Sequence, residues 1–439
     1  MPVRSEMNEE LAVVQPNTLN EWLTYVERLH PVGIDMGLQR VGEVFDRLKI
    51  KFTCPVVIVG GTNGKGSTCT MLEAIYHADG YRVGCSISPH LIRFTERLRL
   101  MGRESTEEEL VEHFHAVESA RLHPQPVSLT YFEFTTLVMA RCMAMAQLDV
   151  AIFEVGLGGR LDAVNILEPD VSIVTSVDLD HQAFLGDDRE TIGWEKAHIF
   201  RPQKPAICSD PKPPESLVRY AKSINADLWL LGVDFNFSGD KQQWSWAGRG
   251  KRRHALAYPS IRGANQLLNA SAALAAVASL EGRLSVSQQA VRAGLLNIDL
   301  PGRFQIVPGS PTTVLDVGHN PHAAAVLAQS LKSMGYFPYT FAVLGMMRDK
   351  DIAGVLKPMA GLIDRWYVCD LDLDRAISAQ ELKQLLLESE FMQASEESIV
   401  VCQSAQLAWQ LACEQADAAD RVVVFGSFYV VGPVLQAMS

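Results

Sequence analysis

The sequence predicts an α/β protein in two parts. The larger part carries a mostly parallel sheet with a small antiparallel ribbon, and a smaller doubly wound domain follows. Three observations predict this. Short β-rich apolar runs alternate with amphipathic stretches, the pattern of parallel strands joined by crossover helices. One run, VVIVGGTNGKGSTCTM over 56–71, passes through glycines and a lysine into a helical pattern. Near Leu300-Pro301-Gly302 the alternation pauses and a second series begins, which places a boundary at about residue 300.

In the first part, strands are expected at 56–59, 82–86, 150–155 and 171–177, with helices at 67–79, 107–120 and 133–147. Residues 228–258 combine alternation, aromatics and Gly-Asp turn chemistry, which reads as antiparallel ribbon. An Ala-rich helix over 266–280 restores the α/β pattern. In the second part, strands are expected at 313–317, 341–344, 366–369, 399–402 and 422–425, and helices at 322–334, 379–390 and 405–416. There is no repeat at solenoid periods and no low-complexity tract.

A chain of 439 residues with 48% hydrophobic and 21% charged residues can bury substantial cores. The net charge of −12 argues against a broad nucleic-acid surface but leaves room for nucleotides. RGKRRH (249–254) therefore reads as a solvated ribbon turn. Eight cysteines without a C-x-x-C pair suit reduced side chains in a cytoplasmic protein. The opening MPVRSEMNEELAVVQP has acids where a signal peptide would be apolar, and no stretch approaches the ~18 apolar residues of a membrane span.

A strand that ends in glycines and enters a helix aims backbone N–H groups and the positive helix end at one point, a ready phosphate site. This loop departs from G-x-x-x-x-G-K-[ST] twice: Val59 replaces the first glycine, and Gly66 follows Lys65 directly. Its neighbours support the phosphate reading. Glu154 ends an apolar strand before a glycine-rich turn, as a metal-binding carboxylate would, although it also suits a plain capped strand end. Asp178, Asp180 and His181 follow another strand, where open α/β sheets bind ligands. Ser88 precedes a proline, and Arg93 and Arg97 follow it, either within reach of anions or as a solvated basic face.

Taken together, LHPVGIDMGLQRV (29–41), GTNGKGS (61–67), SPHLIRFTER (88–97), LTYFEFTTL (129–137), FEVGLGGRLDAVN (153–165), DHQAFLG (180–186), GWEKAHIFR (193–201), LPGRFQ (300–305), LDVGHNPHA (315–323), GMMRDKD (345–351) and FGSF (425–428) resemble the folylpolyglutamate synthase family in order along nearly the whole chain. The resemblance is to its bacterial bifunctional kind, which also makes dihydrofolate. This family stands with the muramyl-peptide ligases, and GTNGKGS is its own form of the loop. The resemblance implies a P-loop-type ATPase domain over 1–299 and a Rossmann-like domain over 300–439. It implies ATP contacts at Thr62, Asn63, Gly64, Lys65, Gly66, Ser67, Asn269, Arg303 and Asp316, and Mg²⁺ ligands at Ser88, Glu154 and His181. Lys196 looks like the family's carbamylated lysine; from its neighbours alone it reads as a cation paired with Glu195. Pterin contacts are implied at Gly33, Ile34, Asp35, Gly37, Leu38, Thr130, Phe132, Asp162 and Ala163, with Phe132 as plain core the alternative. His319 and Ser427 match the glutamate contacts, and K⁺ is a further candidate ion.

The implied reaction activates a carboxylate as an acyl phosphate with ATP and lets the amine of L-glutamate displace phosphate. Lys65, Lys196 and His319 would be the catalytic group. Dihydropteroate and reduced folates are the expected acceptors, in a monomer. The rivals are a synthase that only extends folates, a muramyl-peptide ligase, an ATP-hydrolysing switch, and a binding protein with an inert loop.

Overall fold

The computed structural model describes residues 16–240, 242–392 and 394–438. The N-terminal segment read above for a signal peptide lies almost wholly outside them. The first part is built on an eight-stranded sheet of β1 (Val56–Gly60), β2 (Val83–Ser86), β3 (Leu98–Leu100), β4 (Arg103–Glu104), β5 (Val150–Glu154), β6 (Val171–Val174), β7 (Pro205–Cys208) and β8 (Asp227–Leu230). Their order is β4-β3-β2-β5-β1-β6-β7-β8, parallel except for the β2-β3-β4 edge. β1 is central and buried at every residue. Val56 and Ile58 face one core while Val57 and Val59 face the other. A strand covered on both faces reads as a continuous apolar run for this reason.

Two departures from expectation concern strands. The ribbon is narrower than 228–258: β9 (Phe235–Gly239), β10 (Trp244–Gly248) and β11 (Lys251–Leu256) form it, while β8 pairs parallel with β7 at the sheet edge. Alternation marks a half-buried strand but does not name its partner. β3, β4 and β7 were not expected; the first two are too short to show a period.

The second part is a six-stranded sheet of β12 (Gln305–Val307), β13 (Thr312–Asp316), β14 (Thr340–Leu344), β15 (Arg365–Cys369), β16 (Ile399–Cys402) and β17 (Arg421–Phe425). The order is β12-β13-β17-β14-β15-β16, with only β12 antiparallel. Among the described residues, no helix is long and apolar enough to cross a membrane. All eight cysteines are free.

Register positions the site. Val59 pairs with Glu154 and Gly60 with Val174, so the loop after β1 emerges beside the end of β5 and the turn after β6. In the second sheet Asp316 and Leu344 both pair with Phe425, which sets 317–320, 345–350 and 426–428 side by side. These two sets of carboxyl-end loops face one another across a single cavity of about 1020 Å³.

Candidate active site

The loop after β1 enters helix Lys65–Ala78 through Gly64, at φ 86°, with no side-chain cap. The helix over Tyr131–Met145, by contrast, is closed by a Thr130–Glu133 capping box. An uncapped N-terminus keeps its N–H groups and partial positive charge for an anion. Gly64 is required twice, by its left-handed backbone and because a Cβ there would lie 2.3 Å from Asn269 Oδ1. Lys65 Nζ rests on the Thr62 carbonyl at 3.2 Å, ready to swing to a phosphate. The departure at Gly66 has a physical reason: its Cβ would sit 3.5 Å from Glu154 Oε2, so any longer side chain would project at that carboxylate.

Glu154 is buried, and its Oε2 accepts the Ser88 N–H at 2.9 Å. Burial raises its pKa, opposed by Lys65 and that N–H. A buried carboxylate beside free space suits a hard cation. Ser88 and Glu154 thus stand together, whereas His181 is turned toward the second domain, with Nε2 3.3 Å from Lys350 Nζ. Among the described residues no three His, Cys, Asp or Glu side chains are grouped as a ready metal site. The donor types fit a divalent ion at Ser88 and Glu154; His181 is engaged elsewhere.

Lys196 is 3% exposed, and its Nζ donates to the Gly61 carbonyl at 3.1 Å. Burial, assisted by Lys65, brings its pKa down to about 7. The expected partnership with Glu195 does not form, because Glu195 takes Arg160 in a bidentate pair at 2.8–3.2 Å. A buried, near-neutral amine is a nucleophile, and that is the state CO₂ requires.

On the opposite wall, Arg40 bridges Asp35 at 2.7 Å and Glu133 at 3.1 Å, tying the N-terminal loop to helix Tyr131–Met145. His30 adds a contact to Asp35 at 3.1 Å. The para end of the Phe132 ring presses on Gly156 so closely that a Cβ there would meet Cζ at 2.4 Å. Asp162 is buried and accepts from Leu157 N and Val164 N at 2.7 and 2.9 Å, and burial pushes its pKa up to about 6. Gly33, Ile34, Asp35, Gly37, Thr130, Phe132, Asp162 and Ala163 all line the cavity, but Leu38 does not. Leu38 packs on the hydrophobic core, as an apolar residue preceding helix Gln39–Leu48 readily does.

From the second domain come Arg303, Asp316, His319 and Ser427. Asp316 accepts Phe304 N and Gly318 N at 2.9 and 2.7 Å, which shapes the turns on either side of it. Arg303 stacks on Phe428, 5.0 Å from the ring centroid. Arg93 turns away from the cavity to Glu104, at 3.1 Å, whereas Arg97 lines it.

Family models for the Mur ligase middle domain and the Mur ligase glutamate ligase domain match residues 59–277 and 302–428. The chain is 43% identical to the dihydrofolate synthase/folylpolyglutamate synthase of Escherichia coli over 96% of its own length and 95% of that protein's. The chain belongs to the dihydrofolate synthase/folylpolyglutamate synthase family. The solved Escherichia coli FolC in complex with DHPP and ADP superimposes with a TM-score of 0.89 at 42% identity, covering 96% of this chain and 98% of that one. A bifunctional folylpolyglutamate synthase/dihydrofolate synthase solved with Mn, AMPPNP and L-glutamate gives 0.87 at 42%, covering 96% and 98%.

For this member of the dihydrofolate synthase/folylpolyglutamate synthase family, sequence reasoning missed the residues that join the domains. Asn320 donates to Asn63 Oδ1 and Asp180 Oδ2, both at 3.0 Å, and Asn63 returns a bond at 3.1 Å. Lys350 Nζ reaches Asp180 Oδ1 at 2.7 Å, and His319 Nε2 lies 3.7 Å from Oδ2. Burial opposes the Asp180 charge, but His319, His181 and Lys350 outweigh it and hold this carboxyl far below the usual range. Both residues lay inside GHNPH and GMMRDKD, where nothing local marks them as partners of a carboxylate so distant in sequence.

Proposed function

We propose that this chain is an ATP-dependent amide ligase that adds L-glutamate to dihydropteroate and to reduced folates through an acyl phosphate. One observation carries the reading. A single interdomain cavity gathers the uncapped phosphate loop, the Ser88–Glu154 pair, the near-neutral Lys196, the Asp35–Phe132 wall, and His319 with Ser427. The relatives named above are named for both activities, and one is solved with glutamate.

A carboxylate is a poor acyl donor because oxide would have to leave; phosphorylation turns that oxygen into a phosphate leaving group. The γ-phosphoryl of ATP passes to the acceptor's carboxylate, the glutamate amine attacks the acyl carbon, and the tetrahedral intermediate collapses to amide and phosphate. The protein contributes position and charge. The amides opening helix Lys65–Ala78 and the Lys65 ammonium receive the phosphates. Arg303 and Asp316 approach from the second domain, and Asn269 stands against Gly64 on the nucleoside side. Asp35, Phe132 and Asp162 offer a flat, polar-edged wall to the pterin. His319 and Ser427 receive glutamate. A divalent cation, held by Ser88 and Glu154 with a Lys196 carbamate as a further donor, and with His181 once it turns from Lys350, would neutralise phosphate charge. Closure of the two domains excludes water from the acyl phosphate. The reading includes a monomer acting in the cytoplasm.

The test is a ligation assay with ATP, Mg²⁺ and radiolabelled glutamate, comparing dihydropteroate with a reduced folate monoglutamate. Amide formation on both is expected. ATP hydrolysis without amide product on either would overturn the reading.

A further inference from the structure

Arg97 is a charged side chain of the cavity wall that the mechanism above leaves unused. It closes the 3-10 turn Phe94–Arg97 and leads into β3. Its guanidinium lies against the corner formed by two aromatic rings packed edge to face, 5.3 Å from the Phe94 centroid and 5.5 Å from that of Tyr131. Only its Nε has a hydrogen-bond partner among the described residues, the Nδ1 of His90 at 2.9 Å. No carboxylate pairs with it: neighbouring Glu96 is spent on the backbone N–H groups of Leu91, Ile92 and Arg93 at 2.6–2.9 Å. The two Nη groups, four N–H donors in a planar fork, have no partner among the described residues, and Arg97 lines the cavity.

An arginine is always charged, and burying a guanidinium without an anion is costly. Here the surroundings relieve the cost only in part: burial lowers the Arg97 pKa, and Glu154 and Glu96 oppose it without restoring it. The two rings and His90 hold the fork in place, so little side-chain freedom is lost when a ligand arrives. Its location narrows the ligand. Tyr131 adjoins Thr130 and Phe132 of the proposed pterin wall, Glu154 adjoins the phosphate loop, and Tyr429 adjoins Ser427; all three line the cavity with Arg97. The point common to these three neighbourhoods is where the acceptor's carboxylate must meet phosphate on one side and amine on the other. A planar fork matches a carboxylate in bidentate fashion.

We infer that Arg97 is the receptor for the acceptor's reacting carboxylate, holding it for phosphorylation, and that His90 is the positioning residue that fixes the fork. This inference rests on the proposed ligase reading and adds the group that orients its acceptor.

The experiment is a four-way binding comparison by calorimetry: dihydropteroate and its carboxamide, each against the wild-type chain and Arg97→Ala. The wild type should prefer the carboxylate by about 10- to 100-fold, the scale of a charge-assisted pair. In Arg97→Ala the preference should fall to within about twofold, with ATP affinity unchanged. His90→Leu should raise KM for dihydropteroate and lower kcat, and His90→Asn, which restores an acceptor, should recover most of both. Undiminished carboxylate preference in Arg97→Ala would overturn the assignment while leaving the ligase reading intact. So would a rise confined to the KM for glutamate, or an equal loss of ATP affinity. Binding of neither ligand by the wild type would overturn the ligase reading, and this inference with it.

Discussion

The Asp180–Lys350 pair should couple the two domains measurably. Asp180 is on the first domain, and its side-chain hydrogen bonds come from the second, Lys350 at 2.7 Å and Asn320 at 3.0 Å, with His319 at 3.7 Å and its own neighbour His181 at 3.9 Å. The two side chains of the ion pair are only 8% and 10% exposed, so solvent screens it weakly. Removing one partner of such a pair costs about 3–5 kcal/mol where nothing else compensates. Asn320 and His319 remain for Asp180 in Lys350→Met, and Asp180→Asn keeps one acceptor oxygen. Each single variant should therefore weaken the closed state by about 2–3 kcal/mol, near the worth of a charged hydrogen bond. That corresponds to roughly 30- to 150-fold at about 1.4 kcal/mol per tenfold. The assay is kcat/KM for glutamate at saturating ATP and dihydropteroate, because on the proposed reading His319 and Ser427 bring glutamate to the acceptor when the domains close. The double variant should lose at least about 1.5 kcal/mol less than the sum of the singles. Additivity within about 0.5 kcal/mol would refute the reasoning, since contacts that share one carboxylate must couple.

Lys65→Ala should abolish glutamate addition and leave the melting temperature within a few degrees of wild type; near-wild-type turnover would remove the loop from the mechanism. Gly64→Ala should cost at least about 1–2 kcal/mol for the left-handed backbone alone, and also displace Asn269, so ATP affinity measured by calorimetry should drop tenfold or more. Lys196 has its pKa at about 7 against 10.5 when unperturbed. Between those values the unfolded state binds the extra proton, so the cost of burying this amine falls as pH rises through that window. A carbamate resonance in ¹³C NMR of bicarbonate-equilibrated protein should accordingly grow as pH rises through about 7. It should be absent in Lys196→Arg, and short carboxylates should restore activity to Lys196→Ala. No such signal above pH 7 would exclude the modification.

What could be read from the chain alone was whatever short-range chemistry writes. Lys65 and its glycines follow an apolar run directly. Glu154 ends its own strand. The order of motifs was enough to name the family's loop despite the missing glycine at Val59. Only the fold explains why Gly66 suits that loop, because the nearby carboxylate belongs to a strand paired in register across the sheet. Likewise the alternation at Asp227–Leu230 could not say whether its partner was the ribbon or β7, since period two specifies a face and not a neighbour. Arg93 and Arg97 looked equivalent in sequence, and burial alone separated the one paired with Glu104 from the one open to the cavity. Asn63 and Asn320 are 257 positions apart yet joined by two hydrogen bonds. Such contacts follow from how two folded sheets meet, and neither segment carries a local trace of the other.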